Sequence, residues 1–267
     1  MGRAVLAQFA EGTGPCPVVA RDLVMQFGGL RAVDGMSITL NRGEILGLIG
    51  PNGAGKTTLF NMIAGALKPT SGSISICGVE ASQAAAEKRI GLGLGRTFQI
   101  PKPFAHMTVL ENVLTGAQNQ AGEHIFPNFL QAGRVAAEEK AAIEKARSLL
   151  DFVTLSALEQ EPARILSGGQ RKLLELARIM MADSSIILLD EPAAGVNPTL
   201  LEFIINRVTE LNAQGKSILL IEHNMEVVSR LCSRVVVMAA GQLLTEGKPH
   251  DVARNPTVIE AYLGAPR

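Results

Sequence analysis

One nine-residue stretch constrains this chain more tightly than any other. Gly50-Pro51-Asn52-Gly53-Ala54-Gly55-Lys56-Thr57-Thr58 fits the G-x-x-x-x-G-K-T pattern of a phosphate-binding loop. It lies where that pattern has physical meaning, between an apolar run ending at Ile49 and a helix-like run from Thr58 to Ala66. Glycines let successive backbone N–H groups turn inward around phosphate oxygens, and the N-terminus of the following helix adds a favourable dipole. In such a loop Lys56 pairs with the β- and γ-phosphates of a nucleoside triphosphate and the Thr57 hydroxyl coordinates Mg2+. The bland alternative is an incidental glycine-rich turn, and the strand before it and helix after it weigh against that. A strand feeding a helix through such a loop commits the chain to an α/β core.

The rest of the chain is consistent with that core. The runs Glu44 to Ile49, Ile186 to Leu189 and Ser217 to Ile221 are almost continuously apolar, as expected of strands buried on both faces of a parallel sheet, and a helix-like segment follows each. Val18 to Leu40 reads instead as short strands broken at Gly28-Gly29 and Gly35, and Ser73 to Cys77 alternates after the Pro69 to Gly72 turn. Ile143, Ala146 and Leu150, with Val153 directly after, recur at helical spacing along the charged stretch Arg134 to Phe152. The expected architecture is α/β: a phosphate-loop core with a mostly parallel sheet, a small antiparallel β subdomain, and a helical insert from about Pro101 to Met181. At 267 residues the chain suits one such domain and is cramped for two. We expect residues 1–17 to form a loose extension and 18–264 the domain itself.

Two further stretches carry chemistry. Ile186 to Leu189 runs into Asp190-Glu191, which places two carboxylates at the C-terminal rim of a buried strand, where ligands gather in parallel α/β sheets. There Asp190 fits the role of holding Mg2+ and Glu191 that of the base acting on an attacking water. A solvated acidic strand end before Pro192 is the alternative, weakened by the loop upstream. Leu166-Ser167-Gly168-Gly169-Gln170 is a second small-residue turn opening a helix-like run, Arg171 to Met181, and would form a second anion-binding nest. One nucleotide core with two nests makes sense if the nests belong to sites shared between two subunits.

Taken in order, the phosphate loop, Gln99, Leu166 to Gln170, Asp190-Glu191 and His223 resemble the motifs of the ATP-binding cassette (ABC) ATPases, with the resemblance running from Val18 to Leu263. It implies a RecA-like core that binds ATP and Mg2+ and hydrolyses ATP. By the same resemblance Phe27 stacks on adenine with Val33 lining the same face, although both could instead be core residues of the small sheet. Gln99 reaches Mg2+ and links the site to the insert, and His223 hydrogen-bonds the γ-phosphate. Ser167, Gly168, Gly169 and Gln170 close over the nucleotide of an opposite subunit, so two cassettes sandwich two ATP molecules. Asn197 departs from the pattern, standing where many cassettes have Asp; an amide can still hydrogen-bond across the interface but carries no charge.

Gly95 to Gln99 with Pro103-Phe104, the Glu191 to Gly195 loop, and the tail Val258 to Gly264 resemble the ATPases of branched-chain amino acid importers. That likeness implies two membrane permease subunits, a second ATPase subunit identical or related, and indirectly a solute-binding protein, with this chain peripheral on the cytoplasmic face of the inner membrane. Related cassettes serve urea and amide uptake or lipopolysaccharide extraction, and these remain open. Lys+Arg and Asp+Glu both total 25, which disfavours nucleic acid as a partner. Mean hydropathy is +0.22, yet no run reaches the roughly 18 apolar residues needed to span a bilayer. Cys16, Cys77 and Cys232 have no metal-ligand spacing and read as buried structural thiols of a reducing compartment. The first fifteen residues lack a signal-peptide pattern, and Leu6 stands where myristoylation wants Ser or Thr. A soluble repair or ribosomal ABC protein would carry two cassettes or a coiled-coil insertion, and a GTPase an Asn-Lys-x-Asp motif; the sequence has neither.

Overall fold

A computed structural model of the chain describes residues 17–97, 102–118 and 132–263. These divide into two compact units: residues 17–96, 185–194 and 202–263, and residues 97, 102–118, 132–184 and 195–201. All but the last residue of the expected N-terminal extension lies outside the described residues.

In the first unit, β1 (Val18–Phe27), β2 (Leu30–Leu40), β4 (Ser71–Ile76) and β5 (Val79–Glu80) form an antiparallel sheet in the order β2-β1-β4-β5. Gly28-Gly29 is the two-residue connection between paired Phe27 and Leu30, as expected. Gly35 does not break a strand: β2 continues through it. Between the pairs Leu23↔Met36 and Met25↔Val33 the second strand has one extra residue, a bulge that Gly35 accommodates at φ +70°. A glycine amid strand residues marks a bulge as readily as a turn, and here packing keeps the ladder going on both sides. The strand also starts earlier than expected at β4, taking in Ser71 and Gly72.

The second sheet of this unit runs β10 (Gln242–Gly247), β9 (Arg234–Ala239), β3 (Ile45–Ile49), β8 (Ser217–Ile221), β7 (Ile186–Asp190), β6 (Leu94–Arg96), parallel except for the β9/β10 pair. Every residue of β3, β7 and β8 is buried, which is why their sequences do not alternate. Because β3, β8 and β7 are parallel neighbours, the segments leaving their C-terminal ends emerge side by side: the phosphate loop into α1 (Lys56–Ala64), Glu222-His223, and Asp190-Glu191. The α1 helix begins at Lys56, two residues before the expected Thr58.

Arg89 of the short helix α2 (Ala86–Ile90) is fully buried and satisfied by backbone alone. Its guanidinium donates to Met62 O (2.6 Å) and Ile63 O (2.7 Å) in the last turn of α1, and to Ala81 O (2.7 Å), Ser82 O (3.4 Å) and Ala84 O (3.0 Å). Helix-end carbonyls lack intrahelical donors, so one arginine closes α1 and ties it to the following loop.

The second unit contains α3 (Val109–Leu114), α4 (Ala132–Phe152) and α5 (Gly168–Met181). Ala146, Leu150 and Val153 are buried as their spacing predicts, while Ile143 is only half-buried. Thr108 and Glu111 form a capping box at α3, and the buried Asn112 fastens the loop before it, accepting from Phe104 N–H and donating to Phe104, Met107 and Thr108 carbonyls. The α5 helix starts three residues earlier than the expected Arg171, drawing Gly168 and Gly169 into its first turn.

Replacing Arg89 with Met would strand the carbonyls of Ile63, Ser82 and Ala84 at about 1–3 kcal/mol each, while those of Met62 and Ala81 keep Gly65 and Ala84 N–H. We expect Arg89→Met to lower the unfolding free energy by about 3 kcal/mol or more in urea melts; a loss below about 1 kcal/mol would contradict this account of the α1 terminus.

Candidate functional site

The phosphate loop is built from backbone. Gly50 (φ +148°), Gly53 (φ +78°) and Gly55 (φ +96°) occupy conformations that side chains resist. At two of them close approach matters as well: a Cβ on Gly50 would lie 2.0 Å from Met238 O, and one on Gly55 2.3 Å from Ala32 O. The loop is thus seated against β9 and β2 at once. Pro51, Asn52, Thr57 and Thr58 are wholly or partly open to solvent, whereas Ala54 is buried and its carbonyl accepts from Gly241 N–H. Gly55 offers no side-chain cap to α1, so the first N–H groups of that helix face the loop, the arrangement that binds anions. Lys56 is 6% exposed, and its ammonium donates to Gly50 O (2.6 Å) and Pro51 O (2.9 Å). Burial lowers the Lys56 pKa and the charge of Glu191 opposes that shift.

Beside the loop, Asp190 ends β7 almost fully buried. Burial raises its pKa, and the Arg96 guanidinium, 3.6 Å away, offsets that rise only in part. Arg96 itself lies over the Phe60 ring of α1, 5.0 Å from its centroid. Glu191 adopts φ +48°, a left-handed conformation that costs a non-glycine residue about 1–2 kcal/mol. Its N–H donates to Ile221 O (3.0 Å), and its Oε1 meets His223 Nε2 at 2.8 Å. Lys56, Asp190, Glu191 and His223 are therefore gathered at one rim.

The other expected residues are placed as follows. Phe27, 48% exposed, stands at the end of β1, and Val33 is fully buried in the core cluster. Val33 therefore does not line an open face with Phe27; apolar packing under the sheet claims it. Gln99 lies outside the described residues. In the second unit Ser167 Oγ accepts from Gln170 N–H (3.2 Å) and Gln170 Oε1 accepts from Ser167 N–H (2.9 Å), a capping box at the start of α5. Gly168 borders open space, while a Cβ on Gly169 would strike the Leu200 side chain. Asn197 Oδ1 accepts from Leu200 N–H (2.8 Å) and so caps α6 (Pro198–Ala213). That local role went unread in the sequence, although Asn before Pro is a helix-start signal.

Arg96 and Glu222 were also missed. Arg96 entered only as part of a family-like stretch, since nothing in one sequence pairs it with Asp190 ninety-four residues on. Glu222 directly follows an apolar strand and is 3% exposed; a charged residue adjoining four buried hydrophobics was the available signal. Cys77 and Cys232 are buried, with thiols pushed up to about 11 and about 12 mainly by burial, which makes them inert at neutral pH. His106 and His250 are exposed.

Among the described residues no cluster of three or more His, Cys, Asp or Glu side chains could hold a metal by itself. A hydroxyl and one carboxylate at a phosphate loop are nonetheless the donors Mg2+ takes when phosphates complete its shell, and Thr57 and Asp190 fit that chemistry.

The ABC transporter family profile matches residues 33–194, and that of the branched-chain amino acid ATP-binding cassette transporter matches 242–267. The chain is 42% identical over 239 residues to the probable branched-chain amino acid transport ATP-binding protein LivG of Archaeoglobus fulgidus, covering 90% of this chain and 92% of that one. It is 38% identical over 243 residues to the high-affinity branched-chain amino acid transport ATP-binding protein LivG of Escherichia coli K12, covering 91% and 95%. Among solved structures, a nucleotide-free ATP-binding cassette from an ABC transporter superposes with TM-score 0.81 at 38% identity, over 94% of this chain and all of that one. The ADP conformation of MJ1267, an ATP-binding cassette of an ABC transporter, superposes with TM-score 0.80 at 36% identity, over 94% and 99%. The chain belongs to the ABC transporter family, as one of its ATP-binding, ATP-hydrolysing cassettes. Within that family its relatives carry the LivG and BraF names of branched-chain amino acid transport ATP-binding proteins. No helix among the described residues is long and apolar enough to cross a membrane.

If close backbone approach governs the loop, Gly55→Ala should weaken ATP binding at least tenfold, about 1.4 kcal/mol. Gly53→Ala, whose Cβ meets nothing within 4 Å, should weaken it less. Titration with a fluorescent ATP analogue tests the order, and equal losses would contradict it.

Proposed function

We propose that this chain is the nucleotide-binding subunit of a branched-chain amino acid importer, hydrolysing Mg-ATP as one half of a cassette pair. The observation that carries the hydrolytic reading is the convergence of Lys56, Asp190, Glu191 and His223 at the ends of three neighbouring strands. The names of its relatives and the profile match at 242–267 support the cargo. The domain is read as residues 18–264 with a helical insert at about 101–181, following an extension of 1–17.

On this reading the N–H groups of Gly50 to Thr58 wrap the phosphates, and Lys56 exchanges its two loop carbonyls for phosphate oxygens. Thr57 and Asp190 would hold Mg2+, with Gln99 completing the set from the start of the insert, and the ion would supply positive charge against the phosphate oxygens. Phe27 packs on adenine. Glu191 accepts the proton of the attacking water, a contribution of about 10²- to 10⁴-fold, and His223 turns from Glu191 to the γ-phosphate. Ser167, Gly168, Gly169 and Gln170, with Asn197, complete the site of the opposite cassette, so ATP binds the closed pair better than the open one and shifts the population toward it. Two membrane permease subunits convert that closure into transport at the cytoplasmic face of the membrane, with a solute-binding protein supplying cargo. The second ATPase is identical or related.

Glu191→Gln should bind ATP, lose at least a hundredfold in turnover and accumulate closed pairs on size exclusion; turnover near wild type would overturn the base. In vesicles reconstituted with the co-purifying permeases and binding protein, ATP should drive uptake of labelled leucine. Uptake of urea or an amide instead, or lipid extraction, would reassign the cargo.

A further inference from the structure

Glu222 is a nearly inaccessible carboxylate with no part in the reaction just described. Its partners among the described residues are three backbone N–H groups from two loops: Ala193 donates to Oε1 at 2.7 Å, and His223 and Asn224 donate to Oε2 at 3.0 and 3.3 Å. Donors converging on both oxygens call for an acceptor at each, which an ionised carboxylate supplies and an amide does not. Hydrogen bonds to a buried charge are among the stronger ones, so this bracket is stiff.

What the bracket holds matters more than its strength. Ala193 lies two residues beyond Glu191, in a turn closed by Ala194 N–H to Glu191 O at 3.1 Å, and that turn carries the left-handed φ of Glu191. On the other side Glu222 fixes the backbone of His223. The two side chains that meet at 2.8 Å in front are thus held from behind by a single carboxylate. We infer that Glu222 is a positioning residue for the Glu191–His223 pair, setting the direction of the base and the histidine without touching nucleotide. The inference rests on the reading of Glu191 as the base.

Its consequence is a loss of turnover without a loss of ATP binding, since the phosphate loop is anchored elsewhere, on Ala32 and Met238. Glu222→Gln keeps the shape but turns an NH2 toward the N–H donors. Glu222→Asp keeps the charge and its bonds to His223 and Asn224 N–H but withdraws from Ala193.

The experiment measures ATPase kcat and KM, with thermal midpoint, for wild type, Glu191→Gln, Glu222→Gln, Glu222→Asp, His223→Ala and the His223→Ala/Glu222→Gln double variant in the same transporter preparation. Expected is a tenfold or greater fall in kcat for Glu222→Gln and at least fivefold for Glu222→Asp, with KM within about twofold. The double variant should lose little beyond His223→Ala alone, because both act on one pair. A lower thermal midpoint with wild-type kcat per folded molecule would reduce Glu222 to a loop staple and overturn the inference, as would fully additive losses. Should Glu222→Gln fail to fold, Glu222→Asp decides by the same criteria. Retained turnover in Glu191→Gln would overturn the underlying reading of the base; an inactive Glu191→Gln beside a wild-type Glu222→Gln overturns the inference alone.

Discussion

At Gly50 and Gly55 the chain runs so close to the carbonyls of Met238 and Ala32 that no side chain fits, and the rest of the site depends on that closeness. Ala32 belongs to the antiparallel sheet and Met238 to the parallel one, so the phosphate loop is wedged between them. With its backbone immobilised, the N–H groups that face phosphate are preorganised, and binding need not order them. Arg89 secures the far end of the helix that the loop feeds, by satisfying its last carbonyls. Loop and helix are thereby fixed at both ends.

Buried carboxylates are costly unless compensated, and the rim solves this twice in different ways. Asp190 has a cation, Arg96, which itself lies over Phe60 of the phosphate-loop helix. Glu222 has backbone donors. Burial raises the pKa of Asp190, and the cation beside it offsets part of that rise. Backbone donors on Glu222 tie its charge to the path of the chain.

The parts legible in the sequence were those with local cause. A glycine pattern between strand and helix, three uninterrupted apolar runs and a paired carboxylate at a strand end each follow from neighbouring residues alone. Gly35 was misread because a bulge and a turn share a local signature, and only pairing with β1 tells them apart. Val33 lay beyond reach for a similar reason: an apolar strand residue says it is buried or binding, and its neighbours across the sheet decide which. Arg96 with Asp190, Arg89 with α1, and Glu222 with Ala193 are pairings between distant segments that one sequence does not encode in its spacing. Asn197 is legible in part: Asn before Pro signals a helix start, while the Leu200 N–H that its side chain caps is seen only in the fold.

The most direct test of the account is a structure of the transporter with a non-hydrolysable Mg-ATP analogue. The account predicts the γ-phosphate between Lys56 and His223 of one cassette and Ser167 and Gly169 of the other, with Mg2+ on Thr57 and Asp190 and Glu191 facing the γ-phosphorus. A nucleotide held within a single cassette, or one whose γ-phosphate lies away from Glu191, would contradict it.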